Sequence, residues 1–263
     1  MMSLLRPLLQ RLVLLPAVRL VCRPFRVTGA EHLRGLELPC LLVANHASHL
    51  DTLLVLAALP PALRRRLAVA AAADYWFRWP LLGALARLLV NAFPMARRGC
   101  ARGGLERCRA LAAESWALLV YPEGTRSPDG ALQPFKPGVG LLAVELGLPV
   151  VPVALAGTHA CLPRGARWPR RGPAAVAFGP PLRFEHGVTR EVAAFRIAAA
   201  VGVLHCYTIS GLGDGSPARS SAPHWRGVEE RDGDDDGDHG AVQRGRHPAQ
   251  PAVQDPAARP LRL

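Results

Sequence analysis

Short apolar runs without polar interruption recur through the first 200 residues of this 263-residue chain. A strand with one wet face alternates apolar and polar residues, whereas a strand covered on both faces is apolar throughout. The runs therefore predict buried strands, which lie at Cys40–Val43, Leu67–Ala73, Trp116–Tyr121 and Val150–Ala154.

Segments with the length and spacing of helices separate these runs. Strands that alternate with helices predict an α/β domain, in which helices cover a mostly parallel central sheet. We expect the helices at Asp51–Leu59, Trp79–Val90, Arg102–Ser115, Val139–Leu146 and Glu191–Leu204. Three further strands are expected at Phe25–Thr28, Ala92–Met95 and Ala174–Phe178.

The first 24 residues form an apolar segment of their own. Its longest uncharged run, Leu12–Val18, is far shorter than the about 20 residues that span a bilayer. Arginines among leucines are typical of a helix that lies on a membrane with its charges at the headgroups. We expect residues 1–24 to associate with a membrane in this way, although a helix packed on the core would have the same composition.

The composition changes again near residue 206. Residues 211–263 are dense in glycine, proline, serine, aspartate and arginine, and they have almost no apolar periodicity. Such a segment cannot bury enough apolar surface to offset the entropy lost on ordering. We therefore expect a folded domain at 25–205 and a low-complexity, disordered tail at 206–263.

The chain is strongly basic, with 32 basic and 20 acidic side chains and a net charge of +12. A basic domain attracts nucleic acid, anionic lipid headgroups or phosphorylated substrates. We expect no nucleic-acid partner, because aromatic and basic residues do not interleave as they do in nucleic-acid-binding surfaces. The six cysteines show neither C-x-x-C spacing nor pairing with histidine, which predicts a reducing compartment without disulfides or a metal site.

Two histidines and a carboxylate lie within Asn45–Asp51, after the first predicted buried strand. A histidine beside a carboxylate is a common general base, because the carboxylate fixes the tautomer and stabilises the imidazolium. Five residues along a helix place side chains about 140° apart, so His46 meets Asp51 only if His46 lies in the turn before the helix. The residues alone do not choose between His46 and His49, and both also suit an ordinary helix start.

A second polar cluster, Glu123–Arg126, follows the strand predicted at Trp116–Tyr121. Gly124 allows a ligand to approach the backbone, and Thr125 can donate a hydrogen bond to an oxygen atom. Arg126 can bind a phosphate through two N–H groups. The cluster is thus a candidate binding loop, although a plain strand-to-turn junction would have the same composition.

Two more cations complete the candidate site. Arg97 follows the short strand predicted at Ala92–Met95, and Lys136 is the only lysine of the chain. Together with Arg126 they would suit one phosphate monoester. Each of the three taken by itself is equally typical of a solvated surface charge.

The order of these clusters resembles the glycerolipid acyltransferase family, and most closely its bacterial 1-acylglycerol-3-phosphate acyltransferases. Tyr121 stands where the family often has phenylalanine. The likeness rests on four motifs in sequence order, namely Asn45-His46-x4-Asp51, Phe93-x3-Arg97, Tyr121-Pro122-Glu123-Gly124-Thr125-Arg126-Ser127 and Val151-Pro152-Val153. Three further segments also fit, Phe135-Lys136-x-Gly138, Gly157-Thr158 and Phe178-Gly179-Pro180-Pro181-Leu182.

The resemblance implies an enzyme that moves a fatty acyl group from a thioester to the free hydroxyl of lysophosphatidic acid, giving phosphatidic acid. It implies that His46 and Asp51 are the catalytic pair, and that His49 is not part of it. The residues implied to hold the glycerol phosphate are Arg97, Glu123, Gly124, Thr125, Arg126 and Lys136.

The resemblance also bears on partners and location. The thioester, on coenzyme A or acyl carrier protein, is a co-substrate, so no bound cofactor, metal or acyl-enzyme is implied. Residues 25–205 become the acyltransferase domain. The implied location is the cytoplasmic face of the bacterial cell membrane, as a peripheral or monotopic protein.

Alternatives within and outside the family stay open. The acceptor could be glycerol-3-phosphate or another lysolipid. A thioesterase would use the same pair to activate water, but it has no need to hold a phosphorylated alcohol. A non-catalytic basic membrane-surface protein would not depend on His46, and the sequence identifies no donor for an oxyanion hole.

Overall fold

A seven-stranded sheet is the centre of the described part of the chain. The computed structural model describes residues 2–96, 101–185 and 187–212. The strands are β1 (Cys22–Thr28), β2 (Cys40–Ala44), β3 (Leu67–Ala72), β4 (Ala92–Met95), β5 (Ala117–Val120), β6 (Val150–Ala156) and β7 (Gly172–Phe178).

The sheet has the strand order β1-β7-β6-β2-β5-β3-β4. Neighbouring strands run parallel, except that β6 and β7 are antiparallel. The prediction of a mostly parallel sheet is confirmed, and each predicted strand is present within three residues of its expected bounds.

The described α-helices precede β1, lie in the connections between the strands, and follow β7. They are α1 (Met2–Leu9), α2 (Leu15–Val21), α3 (Leu50–Ala58), α4 (Pro61–Arg65), α5 (Ala73–Trp76), α6 (Pro80–Val90), α7 (Ala101–Ala113), α8 (Gly138–Leu146), α9 (Thr158–Cys161) and α10 (Arg190–Leu212). The short helices α4, α5 and α9 were not predicted. Pro61 begins α4, because proline is tolerated at the first helical position, where its missing N–H has no intrahelical partner.

Both faces of the sheet are covered, as the uninterrupted apolar strands require. Along β2, Leu42 packs into the cluster that includes α2 and α3, whereas Leu41 and Val43 pack into the cluster that includes α8 and α10. All three side chains are completely buried. An alternating strand would place a polar side chain in one of these two clusters, at the cost of burying it without a partner.

The N-terminal segment lies on the domain as a helix that is apolar on both sides. Helices α1 and α2 are joined by a π-helical turn, Gln10–Leu14. Leu15 and Val18 are buried in the core, and the Gln10 side chain donates a hydrogen bond to the Leu89 carbonyl of α6 at 2.8 Å. Further apolar side chains are exposed, namely Leu5, Leu8, Leu12, Val13 and Leu20. Packing on the core therefore accounts for only part of the apolar composition.

Helix α10 ends at Leu212, later than the predicted end at Leu204. The additional turns are held by the burial of His205 and Thr208 against the domain. Within the described residues, α10 is the helix long and apolar enough to cross a membrane. It packs against α8, β6 and β7, as the core helix of a domain does. Residues 213–263 of the predicted tail lie outside the described residues.

The buried face of β2 yields a stability prediction. Leu42→Ala removes a side chain that is completely buried, and we expect the free energy of unfolding to fall by about 2–5 kcal/mol. Leu81→Ala is the matched control, because Leu81 on α6 is 83% exposed and its loss should cost less than about 0.5 kcal/mol. Guanidinium unfolding measures both values, and equal losses would contradict the two-sided core.

Candidate active site

The two polar clusters predicted from the sequence meet at one edge of the sheet. Strands β2 and β5 are adjacent and parallel, so the loops that follow them leave the sheet side by side. The backbone N–H of Ser127, after β5, donates to the His46 carbonyl, after β2, at 2.8 Å. The carboxyl edge of an open α/β sheet is where such proteins bind ligands.

His46 and Asp51 form a hydrogen-bonded pair. His46 lies in the turn before α3 and Asp51 lies in the first turn of that helix, with 2.8 Å between Nδ1 and Oδ2. The same Oδ2 accepts the backbone N–H groups of Ala47 at 2.7 Å and Ser48 at 2.8 Å. A carboxylate beside Nδ1 favours the tautomer that has its proton on Nδ1, and in that tautomer the Nε2 atom of His46 can accept a proton.

The imidazole of His46 is also held through its ring face. It stacks on Tyr121, with 4.2 Å between the ring centroids and 24° between the planes. The Tyr121 hydroxyl is 2.9 Å from the Thr52 hydroxyl, so the oxygen that distinguishes it from phenylalanine has a partner. Burial raises the pKa of Tyr121, which keeps this hydroxyl neutral.

Asn45 anchors the start of the turn around His46 to the neighbouring strand. Its amide donates to the Leu155 carbonyl of β6 at 2.9 Å and accepts the Leu155 N–H at 2.7 Å. Ser48, two residues after His46, donates from its hydroxyl to the Leu162 carbonyl at 2.8 Å. Both ends of the turn are therefore fixed to elements more than a hundred residues away in the sequence.

His49 lies apart from the pair, although it lines the same cavity. Its ring stacks on Tyr75 at 6.0 Å between centroids and meets the Trp76 ring edge-on at 5.4 Å. Burial, followed by the charge of Arg126, lowers the pKa of His49 to about 4. His49 is therefore neutral at physiological pH, and the geometry separates the two histidines that the residues alone could not distinguish.

Glu123 contacts the backbone of the turn around His46, and its predicted contact with substrate stays a prediction. It is buried and is not among the residues that line the cavity. Its Oε1 accepts the backbone N–H of His46 at 2.8 Å, and the backbone of Gln133 is a second donor. Burial raises the pKa of Glu123 to about 8. The carboxyl group of Glu123 thus holds the backbone of the turn around His46 by a hydrogen bond.

The other described members of the predicted set do reach the cavity. Gly124, Thr125, Arg126 and Lys136 all line it. Gly124 has φ +72°, a backbone conformation that favours glycine, and the Lys136 Nζ lies 2.5 Å from where a Cβ would be at this position. Arg97 lies outside the described residues, and its role stays a prediction.

The cavity has a volume of about 690 Å³ and combines cationic with apolar walls. Arg164, from the loop before β7, joins Arg126 and Lys136 in the lining. The apolar lining comes from several elements and includes Leu53, Val69, Leu85, Leu89, Val90 and Leu142. Such a site suits a ligand with a phosphate at one position and a hydrocarbon chain at another.

Comparisons with known proteins agree with this geometry. Over 162 residues the chain is 33% identical to the 1-acyl-sn-glycerol-3-phosphate acyltransferase of Limnanthes douglasii, which covers 60% of this chain and 54% of that protein. The enzyme of the same name from Pseudomonas aeruginosa is 30% identical over 179 residues, with 64% and 63% covered. This chain therefore spans about half the length of the plant relative.

A solved structure shows the same fold. The crystal structure of the 1-acyl-sn-glycerophosphate acyltransferase PlsC from Thermotoga maritima aligns with a TM-score of 0.57 at 24% identity. The alignment covers 76% of this chain and 85% of that one. Residues 24–156, half of the chain, match the family model described as Acyltransferase. This chain belongs to the acyltransferase family, as the order of its motifs predicted.

Proposed function

We propose that the protein transfers a fatty acyl group from a thioester to the free hydroxyl of 1-acylglycerol-3-phosphate, giving phosphatidic acid. The observation that carries the proposal is the His46–Asp51 hydrogen bond of 2.8 Å beside a cavity that also contains Arg126 and Lys136. The names of the relatives from Limnanthes and Pseudomonas point to the same acceptor.

The proposed reaction begins with His46 as general base. Its Nε2 removes the proton from the acceptor hydroxyl while that oxygen attacks the thioester carbonyl carbon. The tetrahedral intermediate collapses, the carbon–sulfur bond breaks, and the imidazolium returns the proton to the leaving thiolate. Asp51 orients the ring and stabilises its charge, and general base catalysis of this kind contributes about 10²–10⁴ in rate.

Cations in the cavity hold the acceptor in this proposal. Arg126 binds the phosphate through paired N–H groups, and Lys136 and Arg164 add positive charge. Gly124 and Thr125 bring the backbone close to the glycerol phosphate. Holding the hydroxyl beside His46 supplies much of the rate enhancement, because the reaction no longer needs two partners to meet in the correct orientation.

The apolar part of the cavity receives hydrocarbon. Its volume of about 690 Å³ lies within the usual range of ligand sites, about 300–1,000 Å³. Leucine side chains of α6 line it, and Leu14 of the N-terminal segment lines it as well. An acyl chain that enters between α6 and the N-terminal segment would place its ester or thioester end near the loops that follow β2 and β5.

The N-terminal segment would bring the site to the lipid surface. Leu14 lines the cavity, while Leu12 and Val13 beside it are 64% and 52% exposed. A helix with leucines and arginines on its exposed side lies in the interface, with the leucines among the acyl chains and the charges at the headgroups. We place the enzyme on the cytoplasmic face of the bacterial membrane, as a peripheral or monotopic protein.

An acyl-transfer assay on detergent-solubilised protein tests the proposal. The donors are oleoyl-coenzyme A and oleoyl-acyl carrier protein, and the acceptors are lysophosphatidic acid, glycerol-3-phosphate and lysophosphatidylcholine. We expect phosphatidic acid from lysophosphatidic acid. Thiol release without any acceptor would identify a thioesterase instead, and transfer only to another acceptor would refute the substrate assignment.

The same assay tests the catalytic pair. His46→Ala and Asp51→Ala should each lower kcat at least about 10²-fold, because the general base or its orienting carboxylate is lost. His49→Ala is the matched control, since it removes a histidine from the same cavity and should retain most of the kcat. Circular dichroism confirms folding, and a larger loss in His49→Ala than in His46→Ala would reverse the assignment.

Glu123 and Arg126 should affect different kinetic constants. Glu123→Ala frees the His46 backbone N–H and should lower kcat about tenfold or more with little change in the KM for lysophosphatidic acid. Arg126→Ala should mainly raise that KM, because a phosphate contact is lost. Glu123→Gln retains one acceptor oxygen and should recover part of the kcat. A selective rise in KM for Glu123→Ala would restore its predicted role as a substrate contact.

The pKa of Glu123 gives a pH prediction for stability. Burial raises it from 4.5 to about 8, so the folded protein retains a proton that the unfolded chain releases between these pH values. The free energy of unfolding should therefore decline as pH rises from 4.5 to 8. Glu123→Gln mimics the protonated carboxyl group and should reduce this decline. Identical pH profiles of urea unfolding in the two proteins would contradict the raised pKa.

A further inference from the structure

A second cavity lies against the edge strand β4, outside the candidate active site. Its volume is about 520 Å³, and its lining comes from α1, β3, α6, β4 and α7. Among the described lining residues of the two cavities, Ala92 is common to both. The second cavity therefore has its own set of side chains.

Three arginines converge on this cavity from three different helices. They are Arg6 of α1, Arg87 of α6 and Arg107 of α7. The described lining contains no acidic side chain, and the nearby Glu106 of α7 is exposed and is not part of the lining. Like charges that converge without a counterion repel each other, so the cavity favours an anion.

At least one arginine donor is available to a ligand. The Nε of Arg6 is buried and has no hydrogen-bond partner among the described residues. The guanidinium of Arg87 lies over the Phe77 ring, 5.1 Å from its centroid. A guanidinium that stacks on an aromatic ring retains five N–H donors. An uncompensated buried donor is costly, and a bound anion would remove that cost.

The remaining lining is uncharged and, apart from Asn91, apolar, and it includes Phe93 and Leu111. Asn91 has φ +55°, and its side chain donates a hydrogen bond to the Leu67 carbonyl at 2.9 Å. Because this amide N–H already has a partner, Asn91 forms part of the cavity wall and does not contact the ligand. Ala68, Ala92 and Pro94 leave room between the arginines. Forked guanidinium donors around an open space match the tetrahedral oxygens of a phosphate group.

We propose that Arg6, Arg87 and Arg107 form a second phosphate-binding site, separate from the catalytic cavity. The phosphate belongs either to the headgroup of an anionic phospholipid or to free inorganic phosphate. Leu5 and Leu8, on either side of Arg6 along α1, are about half exposed and would lie near acyl chains in the first case. The site would then bind a lipid that the reaction does not consume.

Titration calorimetry on the full chain tests the site with two probes. These are inorganic phosphate and monomeric short-chain phosphatidylglycerol, which avoids the general attraction of a charged vesicle surface. We expect Arg6→Gln and Arg107→Gln to weaken one binding event about tenfold, the usual loss for a charge-assisted hydrogen bond. Arg126→Gln should leave that event unchanged, because it acts on the catalytic cavity.

Arg11→Gln is the matched control. It removes one exposed positive charge from the same N-terminal segment without touching the cavity, and binding should equal that of the wild type. Tighter binding of the lipid than of inorganic phosphate identifies the headgroup as the ligand, and the reverse order identifies the free ion. Unchanged titrations in Arg6→Gln and Arg107→Gln, or an equal loss in Arg11→Gln, would overturn the site whether or not acyl transfer is confirmed.

Discussion

The buried carboxylate of Asp51 determines the shape of the turn around His46. A carboxylate out of contact with water is strongly unfavourable unless several donors surround it. Its Oδ2 is hydrogen-bonded to the ring Nδ1 of His46 and accepts the backbone N–H groups of Ala47 and Ser48. One oxygen atom therefore fixes the turn, the start of α3 and the orientation of the imidazole. A substitution there affects local structure and chemistry together.

Parallel strands bring the rest of the site to that turn. Because β2 and β5 pair in parallel, the loop with Glu123 and Arg126 emerges beside the loop with His46. Glu123 holds the His46 backbone, and Arg126 lines the cavity next to it. The two residues are close in the sequence and have different environments, since the sharp turn at Gly124, with its positive φ, lies between them.

Much of the sheet could be predicted from the sequence because its strands are covered on both faces. Full burial leaves no place for a polar residue, so strands such as β2 and β5 are visible as uninterrupted apolar runs. The short helix α5 was missed, because four residues carry too little periodicity to be recognised. The end of α10 was misplaced, because the burial of His205 and Thr208 depends on packing that only the folded domain provides.

The site was predictable in part for the same reasons. The separation of His46 and Asp51 suits a turn followed by a helix. The residues alone did not choose between His46 and His49, the motif resemblance selected His46, and the structure shows that its ring contacts Asp51. The supporting role of Glu123 depends on contacts with His46 and Gln133 that no local pattern reveals. Arg164 reaches the cavity from the loop before β7, and composition alone gave no reason to prefer it over its neighbouring arginines.

The most direct test of the central claim is a crystal structure of the His46→Ala protein with lysophosphatidic acid bound. The account predicts the phosphate within hydrogen-bond distance of Arg126 and Lys136, and the free hydroxyl directed at the space left by the imidazole. An acceptor bound with its phosphate away from these cations, or with its hydroxyl away from position 46, would contradict the account.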